Sequence, residues 1–428
     1  MKYIISTLGC KVNQYETQAM ETLLRGRGHE PAEAEERADA VIVNTCAVTA
    51  ESGRKSRQTI RRLRDENPGA VIAVCGCYSQ LDPDEVRKLG AEVIFGAADR
   101  AKLVEAVEKA VLEGGSFQDI DAPFERRMFE KLPAGAVSGR TRAMLKIQDG
   151  CVNFCSYCII PYTRGRLRSL PIADAAEETA RLNAEGYKEI VLTGIEVASY
   201  GRDLPEKPGL ADVICAVAES APDMRIRLGS LEPTVITEDF CRRLAETGKL
   251  CRHFHLSLQS GCDRTLKNMN RKYDTARFYQ AVELLRAYFP GCALTADLIT
   301  GFPGETEQDQ RETLAFIEKC GFADMHIFPY SRRPGTPADK MPEQCDNATK
   351  ARRAHEAQAV ADRMHRSFLE QSLGQTLPVL FETEEEGFCT GHSDTYVLVK
   401  ARGTGLRGTV RNVRISAVEG DRLVGLAI

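Results

Sequence analysis

Residues 148–169 read QDGCVNFCSYCIIPYTRGRLRS. Three cysteines, Cys151, Cys155 and Cys158, stand in the spacing C-x3-C-x2-C, directly after a strand-like apolar run, AMLKIQ (143–148). A closed zinc site takes four protein ligands, and no second CxxC or HxxxH pair lies nearby to complete one. On a four-iron cluster, three thiolates leave one iron open to a ligand that is not protein. A catalytic iron–sulfur site is therefore the stronger reading of the stretch and a structural zinc site the weaker.

Outward from this loop the chain alternates strand and helix. EIVLTG (189–194), MRIRLGS (224–230), HFHLSLQ (253–259), ALTADLITG (293–301) and DMHIFPY (324–330) follow AMLKIQ as strand candidates, each trailed by a helical segment. Six such units predict a barrel or partial barrel with its chemistry at the carboxyl ends of the strands. Upstream, YIISTL (3–8), AVIVNT (40–45), AVIAVC (70–75) and EVIFG (92–96) alternate with charged helix-forming segments, the pattern of an open parallel α/β sheet. Residues 113–140 are rich in Gly and Pro and read as a linker or irregular connection. One long helix is expected over 347–372, and short alternating strands over 371–428 predict a small β-barrel. The expected division is 1–115, a linker 116–140, 141–370 and 371–428.

The chain of 428 residues has 57 basic and 61 acidic side chains, so a nucleic-acid partner must meet a local basic surface. No run of about 18 apolar residues is present, which speaks against a membrane span. The start, MKYIISTLGCKVNQ, lacks a signal peptide's apolar core. A cytoplasmic location is expected. Fifteen cysteines there point to metal or redox chemistry where they cluster and to small buried side chains where they stand alone, as at Cys215, Cys241, Cys292 and Cys320.

Three further cysteines each follow a predicted strand: Cys10 in LGCKVNQYE, Cys46 in VIVNTCAVT and Cys77 in VCGCYSQ. In a parallel sheet they converge on the ligand-binding edge. On the residues alone two readings stay open, a second three-thiolate cluster or three unrelated buried cysteines.

The CxxxCxxC loop after the first strand of a six-unit β/α domain, with aromatic Tyr157 before its last cysteine, resembles the radical S-adenosylmethionine enzymes. Together with LGCKVNQYE, NTCAVT, GCY, PYTRGRLRS, LTGIEVASYG, RLGSLEP, HLSLQSG, ITGFPGET and PYSRRPGT, it resembles the methylthiotransferases over essentially the whole chain. GCKVNQYE is similar to the branch that modifies N6-threonylcarbamoyladenosine at position 37 of tRNA. The resemblance implies an amino-terminal cluster domain, a radical S-adenosylmethionine barrel and a carboxyl-terminal TRAM domain. It implies two [4Fe–4S] clusters, one held by Cys10, Cys46 and Cys77, the other by Cys151, Cys155 and Cys158. Cys75 stands where the family often has threonine and is a possible competing ligand.

The implied chemistry uses S-adenosylmethionine twice, as methyl donor to a cluster-bound sulfur and as source of an adenosyl radical that removes the hydrogen at C2 of adenine. An aromatic C–H without an acidic proton needs such a route, and no HExxH motif or evident Ser/His/Asp set is present. By the resemblance, Tyr157, Gly194, Glu196, Ser230, Glu232 and Gln259 meet the cofactor; ordinary loop-capping polarity explains the strand-end residues equally well. ITGFPGET lacks the Gly-Lys-Ser/Thr ending of a phosphate loop and reads as a tight strand-to-helix turn, and His253 and His255 read as packing residues.

RKSRQTIRRLR (54–64), TRGRLR (163–168) and KARGTGLRGTVRNVR (400–414) carry six, three and five basic residues and are candidate phosphate contacts, the last the best of them. An anticodon loop with splayed bases suits such a surface. The implied partners are tRNA, an electron donor such as flavodoxin or ferredoxin, and a sulfur source. The alternatives are methylthiolation of a ribosomal protein or of isopentenyladenosine in tRNA, and a non-catalytic iron–sulfur or zinc-stabilised RNA-binding protein.

Overall fold

The computed structural model describes residues 1–33, 36–135 and 141–428. Six amino-terminal strands, β1 (Lys2–Thr7), β2 (Glu30–Pro31), β3 (Ala40–Thr45), β4 (Val71–Gly76), β5 (Val93–Phe95) and β6 (Phe117–Asp119), form a parallel sheet in the order β2-β1-β3-β4-β5-β6. Every residue of β3 is buried, as expected for a central parallel strand covered on both faces, and this is why AVIVNT does not alternate. The edge strands β2 and β6 are two and three residues long and lack an apolar run. The stretch read as an irregular connection therefore contributes an edge strand and then a short turn, Pro123–Glu125; its residues 136–140 lie outside the described residues. The strand order reverses between β1 and β3, which places a ligand crevice at their carboxyl ends.

Strands β7 (Arg142–Asp149), β9 (Glu189–Gly194) and β10 (Arg225–Leu228) are parallel, with a short antiparallel β8 (Arg168–Ser169) on β7. Strands β11 (His253–Gln259), β12 (Ala293–Thr300) and β13 (Asp324–Pro329) form a second parallel sheet. Bridges Ile226–Leu250 and Leu231–Leu256 join the two sheets, giving the expected six-stranded partial barrel. Ala143, Leu145 and Ile147 of β7 pack into the main core, and by the pleat Arg142, Met144, Lys146 and Gln148 take the opposite face. ITGFPGET is a strand-to-helix turn: the Glu305 carboxylate accepts from the Gly301 amide at 3.0 Å, and Thr306 caps the helix Glu307–Cys320 in a reciprocal box with Asp309.

The helix Asn347–Gln371 leads into a closed barrel of β14 (Thr376–Glu385), β15 (Phe388–Ser393), β16 (Leu398–Arg402), β17 (Val410–Glu419) and β18 (Arg422–Ala427), ordered β14-β15-β16-β18-β17 and consistent with a TRAM domain. It is seated on the base of the partial barrel. Arg225 donates to the carbonyls of Pro378 and His392, Arg227 to those of Ser393 and Asp394, and Arg252 pairs with Asp394 at 2.6 Å.

Candidate active site: two facing cysteine triads

The loop after β7 carries Cys151, Cys155 and Cys158, and backbone bonds fix its course. Cys151 N–H donates to the Gly165 carbonyl at 3.0 Å, Ser156 N–H to Met269 at 3.0 Å and Cys158 N–H to Cys155 at 2.9 Å. Between the first two cysteines Phe154 takes a left-handed φ of 48°, held by the Asn270 side-chain amide on its carbonyl at 2.9 Å. The sulfurs themselves receive donors: Asn153 N–H reaches Cys151 Sγ at 3.5 Å and Arg271 Nη1 reaches Cys155 Sγ at 3.1 Å. Burial pushes the thiols of Cys151 and Cys158 up to about 12. Without a metal's charge they would stay protonated.

The second triad is assembled by topology. Cys10 follows β1 and precedes the helix Lys11–Gly26, Cys46 follows β3, and Cys77 opens the short helix Cys77–Leu81 after β4. The three thiols lie within electrostatic reach of one another. Glycines make the approach possible. A Cβ on Gly9, at φ 102°, would stand 2.8 Å from Cys46 Sγ, and one on Gly76, at φ 103°, would stand 2.4 Å from the Thr45 carbonyl oxygen. Cys10 is open to solvent, yet the protein packed around the crevice withdraws enough water to push its thiol up to about 11 against the pull of Arg164. Cys75 points elsewhere: it is fully buried with Tyr3, Met20 and Leu103 on the other face of the sheet. Alternation along a strand would put Cys77 on that same face, but β4 ends at Gly76, whose φ of 103° turns the chain, and Cys77 opens a helix on the opposite side.

The triads face each other, with Cys77 within electrostatic reach of Cys158. A buried ionic network joins their supports. Glu16 of the helix Lys11–Gly26 pairs with Arg100 at 2.8 Å, with Lys146 of β7 at 3.2 Å and with Arg164. Arg164 also donates to Asn13 Oδ1 at 2.9 Å, and Asp149 pairs with Lys146 at 3.1 Å and Arg164 at 3.4 Å. This corrects the reading of TRGRLR as an RNA-facing run. Arg164 and Arg168 are buried because the facing carboxylates of Glu16 and Asp149 claim them, and only Arg166 is exposed. Arg333 of PYSRRPGT lies within electrostatic reach of Cys46 and Cys77.

The other candidates gather at the carboxyl ends of β9, β10 and β11. Gly194 ends β9, and the Glu196 amide donates to Gln148 Oε1 at 2.7 Å. The Glu196 carboxylate accepts from Asn153 at 3.2 Å, and burial, then the Glu232 carboxylate, raise its pKa to about 7. Glu232 is buried and 3.2 Å from Arg271. Ser230 Oγ meets Ser257 Oγ at 2.9 Å, and Gln259 ends β11 at a left-handed φ of 66°. The Tyr157 ring packs beside Met269, Phe302 and Tyr330. Arg271, which bridges Cys155, Glu232 and Tyr273, was invisible in the sequence: NRKYD carries no spacing that marks it. His253 hydrogen-bonds Thr295 and stacks on Tyr396 at 4.9 Å, in keeping with a packing role. The donor set suits iron–sulfur ligation, since each triad offers three convergent thiols, with N–H and guanidinium donors on the barrel triad's sulfurs.

On the carboxyl-terminal barrel the register aligns Phe388, Arg402, Leu426, Arg414 and Thr376 in one row across five strands. Arg402, Arg414 and Leu426 are exposed, so two of the five basic residues of 400–414 share this row, while Arg407 lines a cavity elsewhere on the barrel. Among the described residues no helix is long and apolar enough to cross a membrane.

The radical SAM superfamily model matches residues 145–317, and that of the uncharacterised protein family UPF0004 matches residues 2–96. The threonylcarbamoyladenosine tRNA methylthiotransferase MtaB of Bacillus subtilis is 39% identical over 93% of this chain and 90% of its own length. Its namesake in Thermotoga maritima is 34% identical over 98% and 95%. The tRNA-2-methylthio-N(6)-dimethylallyladenosine synthase of Clostridium tetani is also 34% identical, over 94% and 90%. Among solved structures, the radical S-adenosylmethionine methyltransferase TsrM of Kitasatospora setae superposes with a TM-score of 0.56 at 17% identity, over 91% of this chain and 80% of that one, a likeness of fold.

Proposed function

The chain belongs to the radical S-adenosylmethionine tRNA methylthiotransferase family, and on that premise we propose that it transfers a methylthio group to C2 of N6-threonylcarbamoyladenosine at position 37 of tRNA. Membership brings a [4Fe–4S] cluster and S-adenosylmethionine. The single observation that supports the finer reading is the pair of facing cysteine triads, with Cys77 in reach of Cys158. One site for the cofactor and a second for the sulfur are what methylthiolation needs.

In this reading Cys151, Cys155 and Cys158 hold the first cluster, and Cys10, Cys46 and Cys77 hold a second. When bound, the clusters and S-adenosylmethionine supply one-electron cleavage, a methyl group and sulfur. The chain's own residues do the rest. Arg271 neutralises charge at Cys155 and positions Glu232. Glu196 is placed for the cofactor's amino group, with Gly194, Ser230, Gln259 and Tyr157 completing that rim. The Glu16–Arg164–Asp149 network fixes the two supports relative to each other. The units are 1–115 for the second cluster, a connection 116–140, the catalytic domain 141–370, and an RNA-binding TRAM domain 371–428. The Arg402–Leu426–Arg414 row meets the anticodon arm, Arg through phosphate and Leu426 through a base or sugar face. A cytoplasmic location, an electron donor of the flavodoxin or ferredoxin kind and a sulfur source belong to the same reading.

Mass spectrometry of tRNA nucleosides from cells with and without the gene tests it. Loss of the methylthio group from threonylcarbamoyladenosine is the expected result. Loss from dimethylallyladenosine instead would move the substrate to the Clostridium tetani relative's type, and an unchanged nucleoside profile would overturn the tRNA reading.

A further inference from the structure

A cavity of about 460 Å³ opens where the helix Lys11–Gly26, the face of the partial barrel and the carboxyl-terminal barrel meet. Arg142 at the start of β7, Arg227 in β10, and Tyr396 and Arg407 from the carboxyl-terminal barrel line it together with Lys11. Glu382 is the carboxylate among its described lining residues. Cation outnumbers anion there, so the space is suited to an acidic guest.

The arginines already have partners. Arg142 pairs with Glu382 at 2.8 Å. Arg227 pairs with Glu189 at 2.8 Å and donates to two carbonyls of the 393–394 turn. Arg407 Nε donates to the Glu382 carbonyl at 3.1 Å. Lys11 differs. Among the described residues its ammonium has no hydrogen-bond acceptor and no ion pair; what it faces is the Tyr396 ring, 5.8 Å to the centroid. Glu189 acts on it only at a distance, so a half-buried ammonium that meets an aromatic face in a cation-lined cavity has lost water without gaining a direct ion pair.

The position of Lys11 ties this cavity to the reaction. It follows Cys10 directly, and consecutive Cα atoms are about 3.8 Å apart, so the loop that presents one triad also presents the ammonium. The substrate read above carries a carboxylate on its N6 substituent. In adenine, C2 and C6 flank N1 in one ring, so a base whose C2 faces the triads carries that substituent a short step away. A target base in a loop reaches such a cavity by leaving its stack.

We propose that this cavity receives the threonylcarbamoyl substituent of the target adenosine and that its carboxylate ion-pairs with Lys11, which makes Lys11 a specificity-determining residue. The proposal rests on the methylthiotransferase reading. A phosphate of the same RNA offers similar chemistry, and the two sources separate in one experiment.

Anaerobically reconstituted wild type, Lys11→Met and Lys11→Arg are titrated with anticodon stem-loop RNAs that carry either N6-threonylcarbamoyladenosine or plain adenosine at position 37. Wild type should prefer the modified hairpin. Lys11→Met should weaken binding of the modified hairpin about tenfold or more and leave the plain hairpin within about twofold, while Lys11→Arg should keep part of the preference. Equal weakening on both hairpins would assign Lys11 to a phosphate, and no weakening on either would leave it without a ligand; each overturns the proposal. Iron content and thermal midpoint check that the variants are folded, and Lys11→Gln substitutes if Lys11→Met is not. Failure of the underlying reading looks different: wild type then makes no methylthio nucleoside from the modified hairpin.

Discussion

The two cysteine triads reach similar ends by unlike means. Cys151, Cys155 and Cys158 sit on one loop, and its own backbone bonds and Arg271 hold them. Cys10, Cys46 and Cys77 come from three strand ends and meet because β1, β3 and β4 are adjacent in a parallel sheet. The first takes its spacing from one loop after β7 and needs only the 269–271 turn from elsewhere in the same barrel to hold it. The second exists only when the whole amino-terminal sheet is folded, with Gly9 and Gly76 at the close approaches. A local motif tolerates remodelling around it, whereas a topological site is as fragile as the fold that carries it.

The largest effects should come from deleting each triad. Changing Cys151, Cys155 and Cys158 together to Ala should lower reconstituted iron from about eight to about four per chain and bring S-adenosylmethionine cleavage to background. Changing Cys10, Cys46 and Cys77 should lower iron equally and abolish the methylthio product, yet leave measurable cleavage. The asymmetry is the point of the comparison. Unchanged iron in either variant removes that ligand assignment, and loss of cleavage in the second would mean that the two sites do not act separately.

The next effect concerns what holds the triads in register. Burial alone would raise the Glu16 carboxyl, but Arg100, Arg164 and Lys146 outweigh it and hold it well below the usual carboxylate range. Glu16→Gln would leave buried cations short of a counter-charge, at a cost of about 3–5 kcal/mol, read from denaturant unfolding at neutral pH. The folded pKa is depressed, so this stability is fully present above the unfolded value of about 4.3 and is lost as pH falls through the lower folded value. Gln at Glu51, an exposed carboxylate paired with Arg54, is the control and should change nothing measurable. Equal midpoints for the two variants would show that the network does not join the domains.

Legibility in the sequence follows the same division between local and topological. The C-x3-C-x2-C loop and the six strand runs could be read directly, because spacing and apolar runs are local signals. The central amino-terminal strands could be read too, but edge strands β2 and β6 could not, since their few residues bury too little to leave an apolar run. Cys10, Cys46 and Cys77 were legible as strand-end residues and as a set only through family resemblance. Arg164 and Arg168 read as surface charge because burial depends on carboxylates distant in sequence, Glu16 above all. Arg271 and Lys11 carried no signal of their own, for a single basic residue shows its partner, or its want of one, only in three dimensions.

The smallest effect sharpens the comparison by asking whether one site alone responds to pH. Glu196 sits beside the barrel triad, where burial, with help from Glu232, lifts its pKa to about 7 against the pull of Arg271. If its carboxylate meets the amino group of S-adenosylmethionine, the proton must leave before the ion pair can form. Affinity for the cofactor should then fall about tenfold per pH unit below that value and level off above it. Because the folded pKa is raised, the ligand-free protein loses stability between about pH 4.3 and 7, and the bound ammonium should restore it, so the cofactor's effect on thermal midpoint should grow over that interval. Glu196→Gln should bind more weakly above pH 7 and show a flat profile. Calorimetric titration of reconstituted protein between about pH 6 and 8 decides the matter. A flat wild-type profile, or a slope that survives in Glu196→Gln, would place the cofactor's amino group elsewhere on the rim and leave Glu196 as a partner of Asn153 alone.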